Sequence, residues 1–165
     1  MGEIEGEATI REARFGDASY LSYLHAVVYR EQYGFRDIFE YYVLKGMAEH
    51  MANPEGGRLW VAEADGRIVG GIAVVRAEAE TAQVRWFVMD PACQGKGIGR
   101  RLFATAMEFC RERGYGRVFL WTIDILGAAR HLYAGFGFAP TEKKTNAEWT
   151  GEPITEERWD ACLSS

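Results

Sequence analysis

The sequence predicts a single α/β domain in which a mixed, mostly antiparallel sheet of about seven strands carries about four helices on its faces. That prediction rests first on apolar periodicity, which switches between two-residue spacing and three-to-four-residue spacing along the chain. It rests also on glycine, proline and Asp-Gly punctuation, which separates the segments into the order β-α-α-β-β-β-α-β-α-β-β. Finally, 165 residues at 48% hydrophobic composition suit one compact domain, residues 1–165, with its core over about 8–163.

Thr9 to Arg14 is a short extended run, and Asp17 or Ser19 is placed to cap the helix that follows. Its apolar positions Leu21, Leu24, Val27 and Val28 keep helical spacing until Gly34 breaks it. Ile38 through Met51 predicts a second helix, with Phe39, Val43, Met47 and Met51 at intervals of four and Pro54 beyond its end. The rings at this junction, Tyr29, Tyr33, Phe35, Phe39, Tyr41 and Tyr42, are expected mostly in helix and core packing, with the remainder lining a substrate pocket. Arg58 to Ala64 and Arg67 to Val75 are β-rich and joined by Asp65-Gly66, a dipeptide suited to the positive φ of a tight hairpin. A third run, Ala82 to Met89, follows the Glu-rich bend Ala77 to Thr81 and stops before Pro91, which has no ladder donor.

Ile98 to Arg113 predicts an amphipathic helix with Ile98, Leu102, Ala106, Phe109 and Cys110 on one stripe, ending at Gly114. A buried strand, Arg117 to Thr122, a helix from about Gly127 to Phe136 closed by Gly137, and a strand beginning at Phe138 follow. Lys143 to Pro153 is polar and is expected as a loop. Trp159, Ala161 and Leu163 alternate within Glu156 to Leu163, which predicts a last strand in preference to a short helix capped at Thr155.

A net charge of -5 excludes a general nucleic-acid binder, which needs clustered surplus Lys and Arg, so any anion site must be local. Cys93, Cys110 and Cys162 form no Cys-x-x-Cys pair, and neither a disulfide framework nor a metal site is expected. Cys110 and Cys162 read as small buried residues and Cys93 as a bystander in a loop. No apolar run approaches the roughly 18 residues of a membrane span, and a reducing cytoplasm is the expected location.

The sharpest feature is Asp90-Pro91-Ala92-Cys93-Gln94-Gly95-Lys96-Gly97-Ile98-Gly99-Arg100-Arg101, a glycine-rich turn between a strand and a helix N-terminus. Glycines let backbone approach a ligand closely, and the free N–H groups of a first helical turn attract an anion. Lys96, Arg100 and Arg101 oppose the helix dipole unless an anion sits among them. A Walker loop needs Ser or Thr after the lysine, where Gly97 stands; a dinucleotide fingerprint needs a later third glycine and an acid about 20 residues on. A tight turn with ordinary basic surface residues is the remaining plain reading.

Gln94-Gly95-Lys96-Gly97-Ile98-Gly99 resembles the pyrophosphate motif of the GNAT family of N-acetyltransferases: Gln or Arg, two residues, Gly, one residue, then Gly or Ala. Ala129-Arg130-His131-Leu132-Tyr133-Ala134-Gly135-Phe136-Gly137-Phe138 resembles the family's second motif, in the expected order, except that Leu126 stands where many members have Asn. Thr122 or Asp124 is the expected substitute for that lost contact. The resemblance implies a GNAT-like acyl-CoA N-acyltransferase fold whose fourth and fifth strands splay to admit acetyl-CoA. Phe87, Val88 and Met89 would then hold the pantetheine arm, with Gln94 opening the motif. The amides of Gly95, Gly97, Ile98 and Gly99 would hold the pyrophosphate, and Lys96, Arg100 or Arg101 the other phosphate.

The implied reaction is direct attack of a primary amine, of a small molecule or peptide, on the thioester in a ternary complex without metal. Its oxyanion needs a preorganised donor, here the backbone N–H of Val88 or Met89, and Tyr133 is the implied acid for the departing thiol. The amine must lose a proton first; Glu31 is the chosen base, with Tyr29, Asp124 and His131 as alternatives, although His131 points away from Tyr133 on a helix. Trp86, Trp121 and Trp149 are divided between core and the substrate border. A non-catalytic acyl-CoA sensor and a nucleotide-binding module are the competing functions, and the resemblance makes a homodimer possible.

Overall fold

A computed structural model describes residues 6–163. Among them β1 (Thr9–Glu12), β2 (Arg58–Ala64), β3 (Arg67–Glu78), β4 (Thr81–Met89), β5 (Arg117–Ile123), β6 (Ala139–Asn146) and β7 (Ile154–Cys162) form one 7-stranded sheet, ordered β1-β2-β3-β4-β5-β7-β6. Every neighbouring pair is antiparallel except β4 and β5. The helices are α1 (Asp17–Tyr33), α2 (Asp37–Ala52), α3 (Ile98–Glu112) and α4 (Gly127–Gly135).

Two apolar layers hold the sheet. Leu21 and Leu24 of α1 and Val43 and Met47 of α2 pack against Leu59, Ala73, Trp86 and Val88. On the other face Leu102, Phe103 and Ala106 of α3 pack against Ile72, Val74, Val84 and Val118, joined by Tyr133 and Phe138. Leu21 and Leu102 are fully buried, and truncating either to Ala would cost about 2–5 kcal/mol.

Several boundaries differ from expectation for local reasons. Asp17 is the first helical residue and not the cap; Gly16 (φ 92) holds the N-cap, while Asp17 accepts the Arg14 N–H and an Arg11 N–H, each at 2.7 Å. The expected bend at 77–81 shrinks to Ala79-Glu80, because Arg76 and Glu78 still pair with Ala82 and Thr81. The expected loop from Lys143 begins only after Asn146, because Lys143–Asn146 pair with 154–157 as an exposed edge strand with no apolar face to betray it. The C-terminal segment is a strand, as its alternation predicts, laddered to β5 on one side and β6 on the other. Cys93 is buried and Cys162 exposed, the reverse of their expected settings; all three cysteines are free.

In β4, Gly71 pairs with Val88 and Ala73 with Arg85, so Trp86 and Phe87 together oppose Ile72. This bulge carries a φ of 49 at Trp86, a left-handed conformation that bulky residues rarely adopt. Burial alternates through it without a break, yet the faces exchange. Ala82 and Val84 pack in the α3 layer, whereas Trp86 and Val88 pack toward α1 and α2 and Phe87 and Met89 turn to α3.

Candidate active site

The end of β4 is fixed by Asp90. Its buried carboxylate accepts the Ala92 N–H at 3.0 Å, pairs with Arg67 at 3.1 Å, and so starts the single 3₁₀ turn Pro91–Cys93. Gly95 (φ 81) and Gly97 (φ 77) then bring the chain to α3 in left-handed conformations. A Cβ at either would meet nothing within 4 Å, so it is conformation and not crowding that calls for glycine, and the space before them is open. Gly97 is the N-cap, no side chain caps the helix, and the Arg101 N–H reaches Gly97 O at 3.1 Å. The amides of Ile98, Gly99 and Arg100 therefore precede the intrahelical ladder and form an anion-attracting helix start.

The cations around this start differ. Lys96 is exposed, and the Arg100 guanidinium lies 5.2 Å from the Phe136 ring, beside α4. Arg101 instead donates to Ala8 O at 2.9 Å, on the β1 side, and so leaves the set of phosphate candidates.

Below the loop, β4 and β5 pair only over Thr81–Gln83 and Arg117–Phe119; beyond, the two strands part. The Asp90 N–H donates to Val69 O at 2.8 Å, and Val88, two residues earlier, lies opposite Gly71. Strand alternation therefore turns the Val88 amide toward β3 and the amides of Phe87 and Met89 toward the opening. The Val88 amide, expected as a donor, is thus turned away from the opening, and those of Phe87 and Met89 face it.

The opening leads into a cavity of ≈ 360 Å³ whose walls include Phe87, Thr122, Leu126 and Tyr133. Tyr133 is buried, and burial raises its hydroxyl well above the usual tyrosine range, with Tyr29 adding to the rise and Thr122 opposing it. It is a protonated donor at neutral pH. Thr122 Oγ1 is buried beside it, with Tyr133 as the polar group it faces. Leu126, at the position the resemblance would give to Asn, also lines the cavity, as does Thr122, whereas Asp124 is exposed.

The far end is aromatic. His25 stacks on Tyr29 (4.6 Å) and Phe39 (5.5 Å), and Trp149, from the β6–β7 loop, stacks parallel to Phe35 at 6.2 Å. The Arg36 N–H binds Trp149 O at 2.6 Å, pinning that loop over the α1–α2 junction. Tyr29, Phe35, Phe39 and Tyr42 of the junction line the cavity, with Trp86, Trp121 and Trp149; Tyr29, Phe35 and Phe39 also pack on one another as expected, and Tyr41 is exposed.

His25 is buried with Nδ1 unpartnered, and burial, helped by Arg85, lowers its pKa to about 3. It is neutral at physiological pH. Glu31 and His131 are exposed and lie outside the lining, whereas Glu156 of β7, bound by Asn146 Nδ2 at 3.0 Å, is the carboxylate in the wall. Sequence reasoning missed His25, Arg85 and Glu156. Each comes from a different element, and none stands in a motif.

The profile of the acetyltransferase (GNAT) family matches residues 20–138. An uncharacterized N-acetyltransferase of Escherichia coli K12, YjgM, is 35% identical over 86 residues, 50% of this chain and 52% of its own. N-acetylaspartate synthetase of Danio rerio is 31% identical over 138 residues, 81% of this chain and 45% of its own. The chain thus spans about half the length of these relatives. A GNAT-family structure from Staphylococcus aureus Mu50 superposes with a TM-score of 0.78 at 17% identity, covering 95% of this chain and 99% of that one. The Salmonella typhimurium protein yncA, solved with acetyl-CoA, gives 0.76 at 20% identity over 97% and 96%.

Proposed function

Because this chain belongs to the acetyltransferase (GNAT) family, we propose that it moves an acetyl group from acetyl-coenzyme A to a primary amine by direct attack in a ternary complex. The observation that carries this reading is the continuity of three features along β4: an uncapped helix start behind Gly95 and Gly97, a strand edge unpaired among the described residues, and a buried tyrosine in the wall of a cavity. The pyrophosphate would lie on the amides of Gly95, Gly97, Ile98 and Gly99, with Lys96 and Arg100 near it. The pantetheine arm would bond the exposed edge of β4 at Phe87 and Met89, as an added strand would. A relative solved with acetyl-CoA on the same fold supports this placement.

In the reaction, an amide of Met89 or Phe87 stabilises the tetrahedral oxyanion, an interaction worth a few kcal/mol where water is excluded. Tyr133 donates to the departing thiolate, whose basicity rises in the same dry cleft that raises the tyrosine. A lysine-like amine, with a reference pKa near 10.4, must first lose its proton. Glu156, in the wall, replaces Glu31 as the group toward which that proton leaves. The three free cysteines suit a reducing compartment, consistent with a cytoplasmic protein. Among the described residues, no helix is long and apolar enough to cross a membrane.

Isothermal titration with acetyl-coenzyme A, coenzyme A and ATP, on the wild type and Gly97→Glu, tests the donor site. Coenzyme A ligands should bind selectively and lose about 100-fold or more in the variant, which places a carboxylate at the helix start. Equal binding of ATP, or none of coenzyme A, would sink the reading.

A further inference from the structure

Arginines half-hidden in this protein meet carboxylates. Arg11 pairs with Asp17 and Glu63, Arg58 with Glu12, Arg67 with Asp90, Arg130 with Glu157 and Arg158 with Asp160. Arg85 is equally half-buried, but among the described residues it has neither an ion pair nor a hydrogen bond. Its guanidinium lies 4.4 Å from the Trp86 ring, which offers no acceptor oxygen. It also runs beneath α2 at Gly46, where an added Cβ would stand 2.7 Å from Nη2. Burial is the leading influence on it and opposes its charge, with exposed Glu49 acting from beyond ion-pair distance.

A half-buried guanidinium without an oxygen partner is costly, and Arg85 borders two openings: a second cavity with Gly46, Glu49 and His50 in its wall, and the aromatic cavity, where a ligand can supply the missing oxygen. Arg85 lines that cavity together with Lys144, and the opposing charge in the wall is Glu156. His25 Nδ1, buried and without a partner among the described residues, opens into the same space. The bulge sets the distance: Arg85 is three positions before Val88, at most about 10 Å along the strand, so its guanidinium and the thioester end of β4 bracket a small molecule.

We propose that the acceptor is an amine that itself carries a carboxylate, an amino acid in the broad sense. Its anionic group pairs with Arg85, its chain lies among the aromatic rings, and its nitrogen faces Phe87 and Met89 with His25 Nδ1 as an acceptor. Arg85 is a specificity-determining residue in this arrangement. The inference rests on the acetyl-transfer reading, and its test keeps the two apart.

Acetyl-coenzyme A binding is measured first by titration; failure there removes the transfer reading and this inference with it. With binding in hand, thiol release is followed for the twenty L-amino acids and for carboxylate-free amines, including the matched pairs tyrosine and tyramine, leucine and isopentylamine. Carboxylated acceptors should be turned over in preference to their matched amines. Arg85→Met should raise their KM about ten-fold or more, Arg85→Lys less, with the KM for acetyl-coenzyme A and the melting temperature unchanged. Equal or better use of tyramine, isopentylamine or spermidine overturns the inference and leaves acetyl transfer intact. Turnover of neither set, with acetyl-coenzyme A bound, also overturns it. If Arg85→Met does not fold, the wild-type matched pairs still decide.

Discussion

The two ends of the cleft are built from different materials. At the proposed donor end the parts on offer are backbone: amides at the start of α3, the edge of β4 beyond its pairing with β5, and two glycines at which an added Cβ would meet nothing. At the acceptor end they are side chains delivered from separate elements: His25 from α1, Arg85 from β4, Trp149 from the β6–β7 loop and Glu156 from β7. A backbone site tolerates many surrounding sequences but punishes a change in conformation. A side-chain site tolerates local rearrangement but changes its ligand with a single residue.

Substitutions can break this contrast if it is wrong. The largest effect belongs to Gly97→Glu, where coenzyme A affinity should collapse by about 100-fold or more while the fold, which loses about 1–2 kcal/mol to a non-glycine in the left-handed region, stays intact by circular dichroism. Tyr133→Phe should lower kcat about 100-fold and leave the KM for acetyl-coenzyme A nearly unchanged in steady-state kinetics. At the other end, Trp149→Ala should raise the acceptor KM by about ten-fold and leave coenzyme A titrations as they were. Loss of both affinities together would mean that the two ends are one cooperative unit.

The acceptor end also carries a pH signature. His25 titrates near 3 in the fold and about 6.5 unfolded, so between those values the unfolded chain binds a proton that the folded chain refuses. Stability is whole above about pH 6.5 and falls on acidification by up to about 1.4 kcal/mol per pH unit, with His50, lowered for the same reason, adding a share. Asp17 and Asp160, both held low, contribute in the same direction only in more acid solution. Urea midpoints at pH 7, 6 and 5 should therefore show a shallower decline in His25→Phe than in the wild type. The smallest effect separates the two arginines of the loop: Arg101→Ala should change coenzyme A affinity within about two-fold, because its guanidinium is committed to Ala8 O, whereas Arg100→Ala should weaken it more.

The same contrast decides what could be read from the sequence. Gln94 to Gly99 point to an anion-attracting turn because glycine spacing and a helix start are local, and the order of elements along the chain follows from periodicity and Asp65-Gly66. Glu31 lies exposed and outside the cavity lining, and a helix junction in sequence gives no sign of which side faces the cleft. The Val88 amide faces β3 for a related reason, the direction of an amide being set by register with the neighbouring strand. Lys143–Asn146 hid as a strand because an exposed edge has no apolar rhythm. His25 and Glu156 become neighbours only when α1 and β7 close over the same opening.

The bulge at Trp86 turns β4 into a crankshaft. Up to Arg85 the odd positions look toward α1 and α2; from Trp86 onward the even positions do. Deleting Trp86 would give a straighter strand with better-matched ladder bonds and would at the same time send each side chain after it into the opposite compartment. Local regularity and activity are thus opposed at this one residue, and a redesign that scored strands only for ideal geometry would remove what connects the two substrates.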